Sequence, residues 1–115
     1  MNSQSINQLA SELEQAGQLL NALGDRTRQY LIMVMMKSGN CMGLRVGDIA
    51  AKTSLSRPAV SHHLQIMKKA GLIKVRKEGT KNYYYFDETS TALDQLIQTL
   101  IDARNAMRQL PDRAE

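Results

Sequence analysis

A serine and two histidines stand side by side in the middle of the chain, as Ser61, His62 and His63. A serine beside a histidine suggests a nucleophile with its general base. Neighbouring residues of a helix, however, point about 100° apart and do not face each other. The sequence also contains neither a glycine-rich phosphate-binding loop nor paired carboxylates in the pattern of a catalytic cleft. We therefore expect no enzymatic activity.

Sulfur is a second source of chemistry. Cys41 lies close in sequence to Met33, Met35, Met36 and Met42, and soft thiolate and thioether ligands favour copper(I). A single cysteine could alternatively act as a redox switch. Most of these methionines fall in an apolar predicted helix, where thioethers fill gaps in a core, and nothing near Cys41 in the sequence activates its thiol. We predict no metal site and no cofactor.

Basic residues are concentrated between positions 45 and 82. This segment has nine of them against two acidic residues, a net charge of +7, whereas the whole chain has +4 and the remainder therefore −3. A cationic centre with slightly anionic ends is expected where one surface meets a polyanion. A solvated basic face without a ligand is the alternative. The nine residues are Arg45, Lys52, Arg57, Lys68, Lys69, Lys74, Arg76, Lys77 and Lys81.

Apolar periodicity and turn residues divide the chain into five helices and a hairpin within one domain, residues 1–115. Gly24, Gly71 and Pro111 end helices, and Asp25 and Ser56 are suited to cap the helices that follow them. The helix at 26–37 has almost no polar side and is expected in the middle of the fold. The predicted fold is mainly α with a two-stranded β-hairpin. Its helices are 6–23, 26–37, 46–50, 57–70 and 89–110, and its strands, 72–77 and 82–86, are joined by Glu78, Gly79 and Thr80.

Two short helices joined by a tight turn and followed by a basic hairpin are typical of a winged helix-turn-helix, here with the helix-turn-helix at 46–70 and the wing at 72–86. One side of the helix at 57–70 is apolar, and the other is polar and suited to reading base edges in a major groove. Arg57, at the margin, is within reach of a phosphate or a guanine edge. We expect His63 at the edge of the core and His62 outside it. The residues predicted to contact DNA are Ser56, Arg57, Pro58, Ser61, His62, Gln65, Lys68, Lys69, Lys77 and Lys81.

The first and last helices each have an apolar stripe at alternating spacings of three and four residues, which is typical of helices that pair along a seam. A chain of 115 residues has few places to bury two such stripes inside itself, so they favour a homodimer through the helices at 6–23 and 89–110. Packing against the chain's own core is the alternative. The residues predicted for the dimer interface are Ile6, Leu9, Leu13, Leu20, Leu93, Leu96, Leu100 and Met107.

Four blocks of the sequence resemble the ArsR/SmtB family of dimeric repressors, and the likeness runs from about residue 20 to residue 87. The blocks are ALGDRTR at 22–28, SRPAVSHHL at 56–64, AGLI at 70–73 and RKEGTKNYYY at 76–85. The resemblance implies a winged helix-turn-helix homodimer built from the first and last helices. It also implies binding to an imperfect palindromic operator and release when an inducer binds. One departure is Ser54, in the turn, where many members of the family have a glycine.

The metal sites best known in this family have no counterpart in the chain. The cysteine pair that many members carry falls on Arg45 and Gly47, which cannot ligate a soft ion. The other common site needs histidines on the last helix, and residues 89–110 contain none. The sequence therefore identifies no inducer.

We interpret the chain as a sequence-specific DNA-binding transcriptional regulator, a homodimeric repressor of a palindromic operator. The alternative is a winged-helix module that binds another protein without specific DNA binding. Met1 to Gln4 lack the features of a signal peptide, and no apolar run approaches the about 18 residues of a membrane span. A lone thiol suits a reducing compartment. We expect a cytoplasmic protein that binds double-stranded DNA and no membrane.

Overall fold

The computed structural model of the chain describes residues 3–39 and 42–111, with side chains from residue 5. It confirms a mainly α-helical fold with a two-stranded antiparallel hairpin. Within the described part, no helix is long and apolar enough to cross a membrane. Cys41, for which a copper or redox function was weighed, lies outside the described residues. The elements are α1 Ser3–Gln15, α2 Gly17–Leu23, α3 Arg26–Ser38, α4 Val46–Ala51, α5 Arg57–Lys69, β1 Ile73–Glu78, β2 Lys81–Phe86 and α6 Thr91–Arg108.

The predicted single helix at 6–23 is wrong, because the chain breaks there into α1 and α2 at Ala16. Ala16 has φ −84° and ψ 4°, which departs from the ψ of about −42° of an α-helix. Gly17 follows it, and glycine has low helix propensity. The break lets α2 bury Leu19 and Ala22 in the body of the fold while α1 packs along α6.

Side-chain caps define the starts of three helices. Asp25 accepts the backbone N–H of Arg28 at 3.0 Å, and Ser56 accepts that of Ala59 at 3.2 Å, so both predicted caps are confirmed. Ser90 accepts the N–H of Leu93 at 3.3 Å. The last helix therefore begins at Thr91, two residues later than predicted, because Ser90 is its cap.

The composition of α3 predicted a position in the middle of the fold, and this prediction is wrong. One side buries Leu31, Ile32 and Met35, but Tyr30, Met33 and Met36 on the other side are exposed. The prediction that these methionines fill gaps in a core is therefore correct for Met35 and wrong for Met33 and Met36. Composition alone could not separate the two sides, because both are apolar.

The hairpin has a tighter turn than predicted, since Glu78 pairs with Lys81 and only Gly79 and Thr80 lie between the strands. Gly79 has φ 63°, the left-handed conformation that favours glycine in such turns. A third segment joins the hairpin: the N–H and C=O groups of Leu44 and Tyr84 form a reciprocal pair of hydrogen bonds at 2.9 and 2.8 Å. This isolated bridge ties β2 to the start of the helix-turn-helix.

The core lies where α2, α3, α4 and α5 meet the hairpin. Its fully buried side chains include Leu31, Ile49, Val60, Leu64 and Ile73. The core holds α5 by one side only, so its opposite side is free to face outward. The complete buried apolar set is Leu19, Ala22, Leu31, Ile32, Met35, Leu44, Ile49, Val60, Leu64, Met67, Ala70, Leu72, Ile73, Tyr84 and Leu96.

Candidate nucleic-acid interface

The hydroxyl of Thr53 stabilises the turn between α4 and α5 together with backbone hydrogen bonds. Thr53 donates through Oγ1 to the carbonyl of Ala50 at 3.2 Å and accepts the N–H of Leu55 at 3.2 Å. In the described residues the positive φ angles belong to Gly43, Gly71 and Gly79. Ser54 therefore has an ordinary φ, and this turn needs no glycine at that position.

The two sides of α5 have the burial that the sequence predicts. Val60, Leu64 and Met67 are buried against the core. On the other side Pro58, His62, Gln65, Lys68 and Lys69 are exposed, as are Ser56 and Arg57 at its start, and Ser61 is half-buried. Donors and acceptors thus line the outward side of α5 from its first turn to its last. Their contact with DNA stays a prediction.

The hairpin, which packs against α5, adds further cations. Lys77 and Lys81 belong to the last two cross-strand pairs before the turn, Lys77 opposite Asn82 and Lys81 opposite Glu78, and both are exposed. The other two hairpin cations have structural partners: Lys74 pairs with Asp87 at 3.5 Å, and Arg76 pairs with Glu78 at 2.8 Å. Arg76 also lies 4.5 Å from the ring centre of Tyr83. Among the described ion pairs neither Lys77 nor Lys81 takes part, and Glu78, which stands opposite Lys81, pairs with Arg76.

A buried arginine that sequence reasoning missed links three helices. Arg28, at the start of α3, is 6% exposed. It donates to the carbonyls of Ala22 and Asn21 at the end of α2, at 3.0 and 2.9 Å. Its third contact is His63 Nδ1 on α5, at 3.3 Å, so His63 is a hydrogen-bonded residue at the edge of the core, as predicted. The block at 22–28 contains the arginine, but its partner is 35 positions away, and no local pattern connects them.

The surroundings of His63 disfavour its protonated form. Burial is the largest cause of its lowered pKa, and the positive charge of Arg28 lowers the pKa further while Asp25 opposes the shift. With Nδ1 unprotonated, His63 accepts from the arginine. The contact that Arg28 makes with α2 and α5 therefore requires the neutral form of His63.

The apolar stripe predicted for the dimer divides into buried and exposed members. Leu96 is 3% exposed and belongs to the core of the subunit, so it offers a second chain little surface, which corrects its placement at an interface. Leu9 and Leu93 are half-buried. Ile6, Leu13, Leu20, Leu100 and Met107 are exposed, together with Ile97 and Ile101, which the spacing rule missed.

A polar contact fixes how α1 lies on α6. Thr99 is fully buried and donates to a carboxylate oxygen of Glu12 at 3.0 Å, while the side-chain amide of Gln95 donates to Thr99 at 3.2 Å. The exposed apolar residues of α1 and α6 do not take part in this contact. No group of three or more histidine, cysteine, aspartate or glutamate side chains that could hold a metal ion is found among the residues that the structure describes.

The family model of the "Bacterial regulatory protein, arsR family" matches residues 25–75 of the chain. An uncharacterized HTH-type transcriptional regulator of Methanocaldococcus jannaschii is 36% identical over 88 residues, which cover 76% of this chain and 96% of that protein. The chain belongs to the ArsR family. The transcriptional repressor SdpR of Bacillus subtilis is 31% identical over 87 residues, which cover 76% of this chain and 90% of SdpR.

The fold agrees with this membership. A homodimeric winged helix-turn-helix DNA-binding domain of a possible ArsR-family regulator from Mycobacterium bovis superposes with a TM-score of 0.61 at 23% identity, covering 90% of this chain and 93% of that one. ArsR-family helix-turn-helix proteins are DNA-binding transcriptional regulators. In this ArsR-family chain the tight turn between α4 and α5 and the hairpin of β1 and β2 follow in the order predicted for a helix-turn-helix and its wing.

Proposed function

We propose that this protein is a homodimeric transcriptional repressor that binds a palindromic operator and leaves it when an inducer binds. The observation that carries the proposal is the position of the polar side of α5. It faces away from the core on a helix that packs against the hairpin, whose Lys77 and Lys81 are exposed and lie outside the described ion pairs. A helix of this kind fits the major groove of B-DNA, while the hairpin contacts the backbone or minor groove alongside.

The residues divide into readers of sequence and contacts to phosphate. Ser61, His62 and Gln65 have side chains that can donate to or accept from base edges. Lys68, Lys69, Lys77 and Lys81 supply charge to phosphates, which fixes register and orientation without reading sequence. Ser56 and Pro58 lie at the start of α5, where they would approach the sugar-phosphate backbone of the DNA.

The homodimer is supported by the shape and surface of the subunit. The chain measures 60 × 29 × 21 Å with a radius of gyration of 17.9 Å, against about 13 Å expected for a compact domain of this length. Exposed leucine, isoleucine and methionine side chains lie on the first and last helices. The relative from Mycobacterium bovis is homodimeric. A two-fold pair would present two α5 helices to half-sites about 34–36 Å apart, one turn of DNA.

Repression is proposed from the relative SdpR, which is named a transcriptional repressor. The physical reason is that a dimer seated on both half-sites of an operator near a promoter occupies DNA that the transcription machinery needs. An inducer would act by changing the distance or angle between the two α5 helices. The alternative, a module that binds only a protein, leaves the outward side of α5 and the hairpin lysines without a use.

The experiment is selection of bound fragments from the source genome, followed by fluorescence anisotropy with the selected duplex and a scrambled one. We expect the selected sites to share two inverted half-sites, and the selected duplex to bind more tightly than the scrambled one by about 1,000-fold or more. Binding of neither duplex at 50 mM salt, or equal binding of both, would contradict the proposal. A complex with a protein formed in the absence of DNA, together with unaltered binding by variants of α5, would support the alternative.

A further inference from the structure

A small cavity lies between the start of α4 and the start of α5. It has a volume of about 220 Å³ and is lined by Arg45, Gly47, Asp48 and Arg57. This volume is several times the share of about 30 Å³ that one water occupies in the liquid. Two of its four lining residues are arginines, Arg45 immediately before α4 and Arg57 at the start of α5.

Gly47 provides the space in which the guanidinium of Arg57 lies. A Cβ atom on Gly47 would be 3.1 Å from Nη2 and 3.2 Å from Cζ of Arg57, which is closer than most Cβ contacts in proteins. The planar group thus lies against the backbone of α4, and a side chain on residue 47 would shift it by a few tenths of an ångström.

The charges around the cavity leave both guanidinium groups available. The ion pairs among residues 3–39 and 42–111 are Lys74 with Asp87 and Arg76 with Glu78, so neither Arg45 nor Arg57 is neutralised by one. Asp48 is the acidic residue of the cavity, but its Oδ2 accepts the backbone N–H of Arg45 at 3.1 Å. The hydrogen bond leaves the carboxylate charged, so the residues that line the cavity carry two positive charges and one negative charge, a net charge of +1.

We propose that Arg45 and Arg57 bind one phosphate group between them, with Gly47 as the surface that holds Arg57 in place. Guanidinium groups match the oxygens of a phosphate with paired hydrogen bonds. The proposal rests on the proposed function and adds to it a positioning residue, Arg45, outside α5. The phosphate belongs to a DNA backbone at the start of α5, or to a free oxyanion that occupies the same space when DNA is absent.

The first experiment measures operator binding by Arg45→Ala over a range of salt concentrations. Loss of one phosphate contact should weaken binding about tenfold for the operator and for a scrambled duplex alike. It should also reduce the slope of log affinity against log salt by about 1. Arg26→Ala is the matched control, because Arg26 is an exposed arginine outside the cavity. The control should retain more of the affinity and of the slope.

The second experiment tests the geometry without removing a charge. Gly47→Ala should fold at least as well as the parent, because alanine favours helix more than glycine does, yet it should weaken DNA binding by displacing Arg57. Gly17→Ala is the control, because nothing lies within 4 Å of its added Cβ, and it should leave binding unchanged. The third experiment titrates inorganic phosphate into the DNA-free protein, with shifts of the Arg45 and Arg57 side-chain NMR signals as the readout.

The outcomes separate the two sources and the two proposals. Weaker DNA binding by Arg45→Ala and Gly47→Ala supports a backbone phosphate, and phosphate-induced shifts that disappear in Arg45→Ala support a free oxyanion. The inference is overturned if the parent binds its operator while Arg45→Ala changes neither affinity, salt slope nor phosphate titration. It is also overturned if Arg45→Ala alters base preference instead of uniform affinity. Failure of the parent to bind any duplex overturns the proposed function, and the phosphate titration then decides the cavity by itself.

Discussion

At the scale of single residues, the outward side chains of α5 differ in whether they can read a base. Gln65 is exposed, and its amide group both donates and accepts. Its hydrogen bond to the hydroxyl of Tyr84 on β2 is long, because 3.5 Å separates that oxygen from Nε2 of Gln65. Little therefore has to be broken before Gln65 meets a base edge.

The first prediction concerns Gln65→Ala. The change should reduce discrimination between the operator and a singly substituted operator by about 1–3 kcal/mol, the usual contribution of a good bidentate contact to a base. Affinity for a scrambled duplex should stay the same. Competition anisotropy with both duplexes measures the ratio, and an unchanged ratio would remove Gln65 from the reading residues.

The second prediction concerns Lys81→Ala on the hairpin. Because Lys81 is an exposed charge outside the described ion pairs, its loss should weaken binding to every duplex equally and lower the salt slope by about 1. Lys74→Ala is the matched control, since Lys74 already pairs with Asp87 at 3.5 Å. Equal effects of the two variants would mean that net charge, rather than the position of Lys81, determines the affinity.

The sequence predicted the exposed lysines because the hairpin and the polar side of α5 follow from local periodicity. It could not predict the hydrogen bond between Arg28 and His63. Nor could it predict the cavity that brings Arg45, Gly47 and Arg57 together. Each of these sets joins residues of different elements, and their spacing in the chain has no regular relation to their distance in space. The sequence gives little indication that Gly47 matters, because a glycine in a short helix has no visible function until the guanidinium of Arg57 is found beside it.

At the scale of elements, α5 is held in place by one charged contact as well as by apolar packing. Arg28 donates toward Nδ1 of His63, an arrangement that requires an unprotonated nitrogen there. Burial and Arg28 together keep the pKa of His63 below its ordinary value of 6.5. The unfolded chain therefore takes up this proton at a higher pH than the folded one.

The third prediction follows from that difference in pKa. The contribution of neutral His63 to stability should be complete above pH 6.5, the value of the unfolded chain, and be lost as the pH falls through the lowered value of the folded state. Asp25, Glu78 and Asp87 also have lowered pKa values, but from ordinary values of 3.8 to 4.5, so their losses come at more acidic pH. Urea unfolding at several pH values between 5 and 7.5 measures the effect.

The control for this prediction is His63→Gln, which keeps an acceptor for Arg28 but does not titrate. The free energy of unfolding of the variant should depend less on pH just below 6.5 than that of the parent. Parallel curves for the two proteins would show that His63 does not contribute to the pH dependence.

The caps Asp25 and Ser56 were predictable, because each accepts an N–H only three residues further along the chain. The position of the hairpin was also predictable, although Glu78 belongs to β1 and not to the turn. The division of residues 6–23 into α1 and α2 was not, since the apolar spacing continues across Ala16 without interruption. The bridge between Leu44 and Tyr84 was also missed, because a strand of one residue has no period to detect. Long-range packing decided both features.

At the scale of the whole molecule, the exposed apolar surface and the elongated shape both favour a two-fold pair. The exposed set includes Ile97, Leu100 and Ile101 on α6 and Ile6 and Leu13 on α1. Exposed apolar residues concentrated on two packed helices mark a protein–protein contact. This surface is present in the single chain, and in the proposed homodimer a second copy covers it.

The fourth prediction concerns Leu100→Glu. Leu100 is 50% exposed in the subunit, so the change should leave the fold intact but place a charge in the interface, and sedimentation velocity should show a monomer. Operator affinity should fall by at least 100-fold, because the two half-sites are then bound independently. Thr91→Glu, which adds the same charge at the start of α6, should remain dimeric.

Leu96→Ala gives the converse result. Leu96 is buried within its own subunit, and truncation there should cost about 2–5 kcal/mol of stability with the dimer retained in molecules that stay folded. A Leu96→Ala protein that is fully stable but monomeric would contradict the division of the stripe into core and interface residues. Spacing alone could not make this division, because both sets recur at three and four residues.

The position of Arg28 also limits how a signal can reach DNA. The guanidinium binds the end of α2 and the flank of α5 at once, so moving α2 against α5 would strip hydrogen-bond partners from a buried charge. Leaving a buried charged group without such partners costs about 3 kcal/mol. An effector using this route would have to prefer the released arrangement by a factor of about 150 in affinity. A molecule that discriminates less would leave this contact intact, and it would have to act by moving the two subunits against each other as rigid bodies.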